Sequence, residues 1–213
     1  MWALRNSFSI LRQNPPSRIV RWQRFYVTAS KSKLNGHQLK DQEKLQSLGR
    51  SLGFDRYGIL FGDFEEFSKC LYPKKHSVVN FPDGKAYQLA HLQILGGSLL
   101  RLSLLRSFLE VFKKSTQDVC GLDFNYEAKM SHLSASKRSP DMLLKHFIRG
   151  RYDRLARLPM PESVVPLRIQ RVFDQRSFHA VIGYVSLIND ENAVSILLRD
   201  NVARPVIKGV FGH

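Results

Sequence analysis

The 213-residue sequence predicts an all-α fold. Three observations carry that reading. Between Tyr87 and Val111, the residues Leu92, Leu95, Leu99, Leu102 and Leu105 recur at steps of three and four, the spacing of one helix face. Ile94, Leu100, Leu104 and Phe108 make the neighbouring faces apolar, so this helix is expected at the centre of the fold, buried on most sides. A second apolar stretch, Val172 to Leu187, carries Phe173, Phe178, Val181, Ile182, Val185 and Leu187. No segment alternates as a half-buried strand would, and none repeats.

Along the chain, residues 27–40 read as a polar linker. Asp41 to Leu52 reads as a short helix with Leu45, Leu48 and Leu52 on one side and Asp41 as its N-cap. Gly53, Gly58 and Gly62 punctuate a loop. Asp63 to Leu71 is a second helix with acids in its first turn and Lys69 in its last, the order the helix dipole favours. Pro73 ends it, Lys74-Lys75-His76 is a basic turn, and Phe81-Pro82-Asp83-Gly84 is a turn that leads into the central helix. There, Gly96-Gly97 costs about 1 kcal/mol per glycine relative to alanine, which predicts close approach of another backbone. The longest charge-free run, Ala86 to Leu100, has 15 residues. That is short of the roughly 20 a membrane span needs, so no span is expected.

Residues 120–140 are polar and read as a long loop or insertion. Asp141 to Leu158 is helical, with Gly150 as a possible break. Pro159, Pro161 and Pro166 form a connector to the second apolar helix. Asn189-Asp190 ends that helix, Asn192 to Asn201 is the last helix with Ala193, Ile196 and Leu197 facing in, and 206–213 is a tail.

The net charge is +15, which argues for a polyanionic partner, nucleic acid or an anionic membrane surface. Residues 1–40 hold eight Lys or Arg and no acid, so the remaining chain carries 25 basic and 18 acidic groups, or +7. About half of the excess therefore lies in a leader. Residues 1–26 combine Arg5, Arg12, Arg18, Arg21 and Arg24 with interspersed serines and a short apolar face, the composition of a mitochondrial transit peptide. Arg24-Phe25-Tyr26 resembles a matrix-processing site with the cut after Tyr26, which places the protein in the mitochondrial matrix. The other reading of these residues is a basic arm that binds nucleic acid. Cys70 and Cys120 lack metal-ligand spacing and read as buried, reduced thiols.

Two stretches together resemble the RNase III endonuclease domain, over about residues 41–205. The family signature N-E-R-L-E-F-L-G-D-A-V-L matches Leu92, Leu95, Gly96 and Leu100, with Ile94 and Leu99 apolar where the family is apolar. The second family segment, roughly D-x-F-E-A-L-I-G-A-I-Y-L, matches Phe178, Ala180, Ile182, Gly183 and Leu187. The spacing between the two fits an insertion around 120–140. The resemblance implies an RNase III-like helical domain, a family that cuts double-stranded RNA with magnesium held by four carboxylates. Those four positions are Gln93, Gly97, Arg176 and His179 here, none of them a carboxylate. Asp174 lies two residues too early and Glu110 seventeen residues past Gln93. The endonuclease site is therefore expected to be dead: no catalytic residue, no metal, no cofactor. His91 and His179 lack the partners a zinc site needs.

The family pairs its domains through the signature helix. Many members add a double-stranded-RNA-binding domain, for which the 13 residues after Asp200 are too few. A basic, matrix-targeted, inactive domain without that addition is similar to the smaller kind of RNase III-like protein in the fungal mitochondrial large ribosomal subunit. The resemblance implies large-subunit ribosomal RNA and a second RNase III-like ribosomal protein, in a heterodimer, as partners. It leaves open an RNA-maturation factor, or a mitochondrial endoribonuclease subunit whose partner supplies the active site. Arg151, Arg154 and Arg157, at steps of three, are expected to line one helix face against RNA phosphates, extended by Lys145 and Arg149. Lys74 and Lys75 are further candidates, as are Lys113-Lys114 and Lys137-Arg138.

Overall fold

A computed structural model describes residues 36–73, 78–112, 128, 130, 131, 133, 139–158 and 165–211. The leader, Lys74, Lys75, Lys113, Lys114, Cys120, Lys137, Arg138 and most of 120–140 lie outside them. The described chain is mostly helical. It runs through α1 (Gly36–Leu52), α2 (Phe54–Tyr57), α3 (Phe64–Ser68), a 3-10 turn (Lys69–Leu71), β1 (Val78–Asn80), β2 (Ala86–Gln88) and α4 (Leu89–Phe112). It continues through α5 (Pro140–Arg151), α6 (Leu167–Ile188), α7 (Glu191–Leu198), a π-helical turn (Arg199–Ala203) and α8 (Arg204–Phe211).

The two longest helices, α4 and α6, form the central pair. Glycine sets their crossing. A Cβ on Gly96 would stand 1.9 Å from the carbonyl oxygen of His179, and one on Gly183 would stand 2.1 Å from that of Leu92. The two backbones touch, as the Gly96-Gly97 pair predicted, and Gly183 is the reciprocal half of the contact. This crossing selects the buried stripe of α4: Leu89, Leu92, Gly96, Leu100, Leu104, Ser107 and Phe108. The expected stripe is displaced. Leu95 and Leu99 are half-buried, while Leu102 and Leu105 are exposed, and so is Ile94 at 68 %. A helix apolar on most faces has no single periodic solution, and the position of the glycines decides. On α6, Phe178 and Ala180 to Val185 are buried, whereas Leu187 is exposed.

Four boundaries differ from expectation. α1 begins at Gly36, inside the expected linker, so Asp41 is not an N-cap. Asp41 is a buried interior residue whose carboxylate accepts from Tyr72 Oη at 2.6 Å and Arg157 Nε at 2.7 Å. Val78–Asn80 pairs antiparallel with Ala86–Gln88, around the predicted Phe81–Gly84 turn. Three-residue strands are too short to show alternation in sequence. Glu66 anchors this hairpin to α3 by accepting from the Asn80 backbone N–H at 2.7 Å and from Lys69 Nζ. α5 stops at Arg151, well before Leu158. The tail is helical in Arg204–Phe211, where Val206 and Ile207 are buried and Phe211 meets Phe108 and Phe112 edge-on.

Other expectations hold. Leu45, Leu48 and Leu52 are the buried side of α1. A helix follows Asp63, whose side chain turns out to cap it by accepting from the Glu65 N–H, and Asn189-Asp190 separates α6 from α7 as expected. One does not: on α7, Val194, Leu197 and Leu198 are buried, but Ile196, expected to face in, is exposed, and Ala193 is half-buried. Cys70 is fully buried and free, and burial pushes its thiol pKa well up. Within the expected insertion, Met130 is buried in the core and Leu133 packs against it. No helix among the described residues is long and apolar enough to cross a membrane.

Candidate functional site

Beside the glycine crossing, α4 and α6 diverge and α5 closes the gap, leaving a cleft of about 280 Å³. From α4 come Gln93, Ile94, Gly97, Ser98 and Arg101. Gln93, Gly97 and Arg101 are four residues apart, so they share a face. The first turns of α5 add Asp141 and Leu144, and α6 adds Gln175 and His179. Ser139 caps α5 by accepting from the Met142 N–H, with Pro140 at the first helical position, which holds Asp141 at the rim.

Three of the four positions matched to the carboxylate set therefore share one cleft: Gln93, Gly97 and His179. Arg176 does not line it. It is exposed, with its guanidinium 5.8 Å from the centre of the Phe173 ring, and Gln175 takes the neighbouring place in the cleft. Asp141 is the one carboxylate lining the cleft, and it is spoken for. Arg101 Nε donates to Oδ1 at 3.0 Å and Arg101 Nη2 donates to Oδ2 at 2.9 Å, a two-pronged pair. His179 lies against Gly97, where a Cβ would stand 3.1 Å from the imidazole Nδ1. Burial pushes the His179 pKa down to about 4, with Asp141 pulling it up and Arg101 pushing it down, so the ring is neutral at pH 7. Its Nε2 is buried without a hydrogen-bond partner.

These groups do not suit a hard dication. Magnesium wants several oxygen ligands, mostly carboxylate or water, and here the single carboxylate is already bound by a guanidinium. Among the described residues no three of His, Cys, Asp and Glu come together to hold a metal ion. His91 is exposed on α4. Asp174, the other acid near the motif, turns away from the cleft. It is buried and organises the connector after α5, accepting from the Arg154 N–H at 3.1 Å, the Ala156 N–H at 2.8 Å and Gln170 Nε2 at 2.8 Å. Burial raises its pKa despite these three donors.

The expected arginine face does not form. The helix ends at Arg151, and Arg154 stands at φ 56°, a left-handed conformation that residues with a Cβ rarely adopt. Its N–H is held by Asp174, and its carbonyl accepts from Lys44 Nζ. Arg157 turns inward onto the buried carboxylate of Asp41, making it a structural ion pair. Arg151 is exposed, 5.0 Å from the centre of the Phe147 ring. Lys145 and Arg149 are four apart on α5 and half-buried, and Arg149 Nε is buried without a partner. The surviving basic group is thus Lys145, Arg149, Arg151 and Arg154, spread over the end of α5 and its following turn.

The sequence resemblance does not single out the Arg101–Asp141 pair or Gln175. Arg101 was legible: it continues the step of four through Gln93 and Gly97. Asp141 was not, because its place depends on how α5 docks. Comparison of the chain with protein-family models, with curated proteins and with solved structures finds no match.

Proposed function

We propose that this protein is a non-catalytic RNA-binding constituent of the mitochondrial large ribosomal subunit, built on an RNase III-like helical frame. In this reading it rests on ribosomal RNA and pairs with a second RNase III-like protein in the mitochondrial matrix. One observation carries the proposal. The two helices that resemble the family's signature segments cross through Gly96 and Gly183, both matched glycines, while the cleft beside that crossing has a solvent-exposed Arg101–Asp141 ion pair at its rim where the family gathers carboxylates. A frame retained without its metal ligands supports binding over cutting. The acid-free, arginine-rich leader supports matrix targeting. The charge of +7 beyond residue 40, with Arg149, Arg151 and Arg154 at one end of α5, supports phosphate contact.

Sedimentation of mitochondrial lysate containing the tagged full chain tests this. Migration with large ribosomal subunits at high salt is the expected result. Migration with soluble RNA contradicts the ribosomal role and favours an RNA-maturation factor. A heterodimer that cuts duplex RNA with magnesium would instead assign the chain to an endoribonuclease.

A further inference from the structure

The cleft between α4, α5 and α6 has a chemistry of its own. Its two formal charges cancel, since Arg101 and Asp141 grip one another and His179 is neutral. A free anion would have to compete with Asp141 for the guanidinium, and a metal ion would have to displace the guanidinium from Asp141. What remains is a set of neutral polar groups without partners. The Gln93 and Gln175 carboxamides are half-buried and have no hydrogen bond among the described residues, while His179 Nε2, also without one, is closed off behind them. The walls are apolar or flat. Ile94, 68 % exposed, and the buried Leu144 both line it, while Asp141 orients the Arg101 guanidinium. Gly97 leaves the floor open, because any Cβ there would crowd the imidazole of His179.

We infer that this cleft binds one unstacked nucleobase of RNA, an unpaired or bulged residue, and that adenine fits it best. The inference rests on the RNA-binding reading and sharpens it from duplex backbone to a single base. A carboxamide offers a donor and an acceptor side by side, the complement of an adenine edge, and two carboxamides line this cleft. Proteins read RNA sequence mainly on unstacked bases, seated against flat or apolar side chains and hydrogen-bonded along their edges. A guanidinium held flat by a carboxylate suits such seating. The volume, about 280 Å³, is at the small end of ligand sites, which suits a single ring system rather than a whole nucleotide chain.

The test uses the full chain and two end-labelled RNA hairpins, identical except that one carries a single bulged adenosine, read by fluorescence anisotropy. The expected result is tighter binding of the bulged hairpin by about tenfold, the worth of one good base contact. Gln175→Ala and Gln93→Leu should abolish this preference while leaving affinity for the paired hairpin unchanged. Equal affinity for both hairpins, or equal weakening of both by the two variants, overturns the base site and leaves RNA binding standing. Failure to bind either hairpin overturns the RNA reading itself, and the base site with it. Displacement of the bulged hairpin by millimolar AMP, with no preference between hairpins, assigns the cleft to a free nucleotide and also overturns the inference.

Discussion

Gly96 and Gly97 are neighbours on α4 and face different parts of α6. At Gly96 the helices touch backbone to backbone, with no room for one further carbon. At Gly97 they have begun to part, and the nearest atoms belong to the His179 ring, a side chain that can give way. The first glycine closes a seam and the second opens a cleft. The lesson is that a glycine pair marks a place where two helices separate as readily as one where they meet. Function is to be sought on the separating side.

This contrast can be broken by single substitutions. Gly96→Ala or Gly183→Ala puts a methyl into a carbonyl oxygen of the opposing helix, and each is expected to destabilise by about 3 kcal/mol or more, measured by urea unfolding. An effect below about 1 kcal/mol at either position would mean that the helices do not cross there. Asp174→Ala, at the other end of α6, is expected to cost about 3 kcal/mol, because it strips a partner from the Arg154 and Ala156 N–H groups and from Gln170. Unlike the glycine variants, it should free the connector after α5, seen as faster amide exchange at Arg154 and Ala156.

The cleft side should respond to pH. His179 has its pKa lowered to about 4 by burial, against an ordinary value of 6.5. Between those values the unfolded chain binds the proton and the folded chain does not, so this stability is present above pH 6.5 and lost as pH falls toward 4. Comparing His179→Leu with the native protein at pH 7 and pH 4.5 should show the native protein losing roughly 2–3 kcal/mol relative to the variant. A constant difference between the two would mean that the ring is open to water. The smallest effect is expected at Gly97→Ala. Relief of helical glycine gains about 1 kcal/mol and crowding of His179 takes back a similar amount, so unfolding should change by less than about 1 kcal/mol.

Sequence carried the helices and their contact point further than it carried the site. The Gly96-Gly97 pair announced a close backbone, and the helix start near Asp63 and the break at Asn189-Asp190 lay where the residue types put them. The buried stripe of α4 was not legible, since apolar residues surround the helix and only the partner's glycine selects a face. Asp41 had the composition of a cap but serves as the buried anchor for Arg157, a residue 116 positions away, and no local pattern encodes that. The same distance problem hid the arginine face. Steps of three from Arg151 to Arg157 mean a face only if the helix continues, and Asp174 turns the chain at Arg154 instead. In the cleft, the step-of-four series Gln93, Gly97, Arg101 was readable. The arrival of Asp141 and Gln175 depended on packing among three helices.

In the function proposed above, the helical frame holds RNA without cutting it. The most direct measurement incubates the purified full chain with duplex RNA and magnesium, and resolves the mixture on native and denaturing gels side by side. The expected result is a retarded complex whose RNA is intact, for the native chain and equally for Gln93→Glu combined with Gly97→Asp, since Arg176 and His179 still supply no oxygen ligand. Magnesium-dependent cleavage by the native chain alone would contradict it.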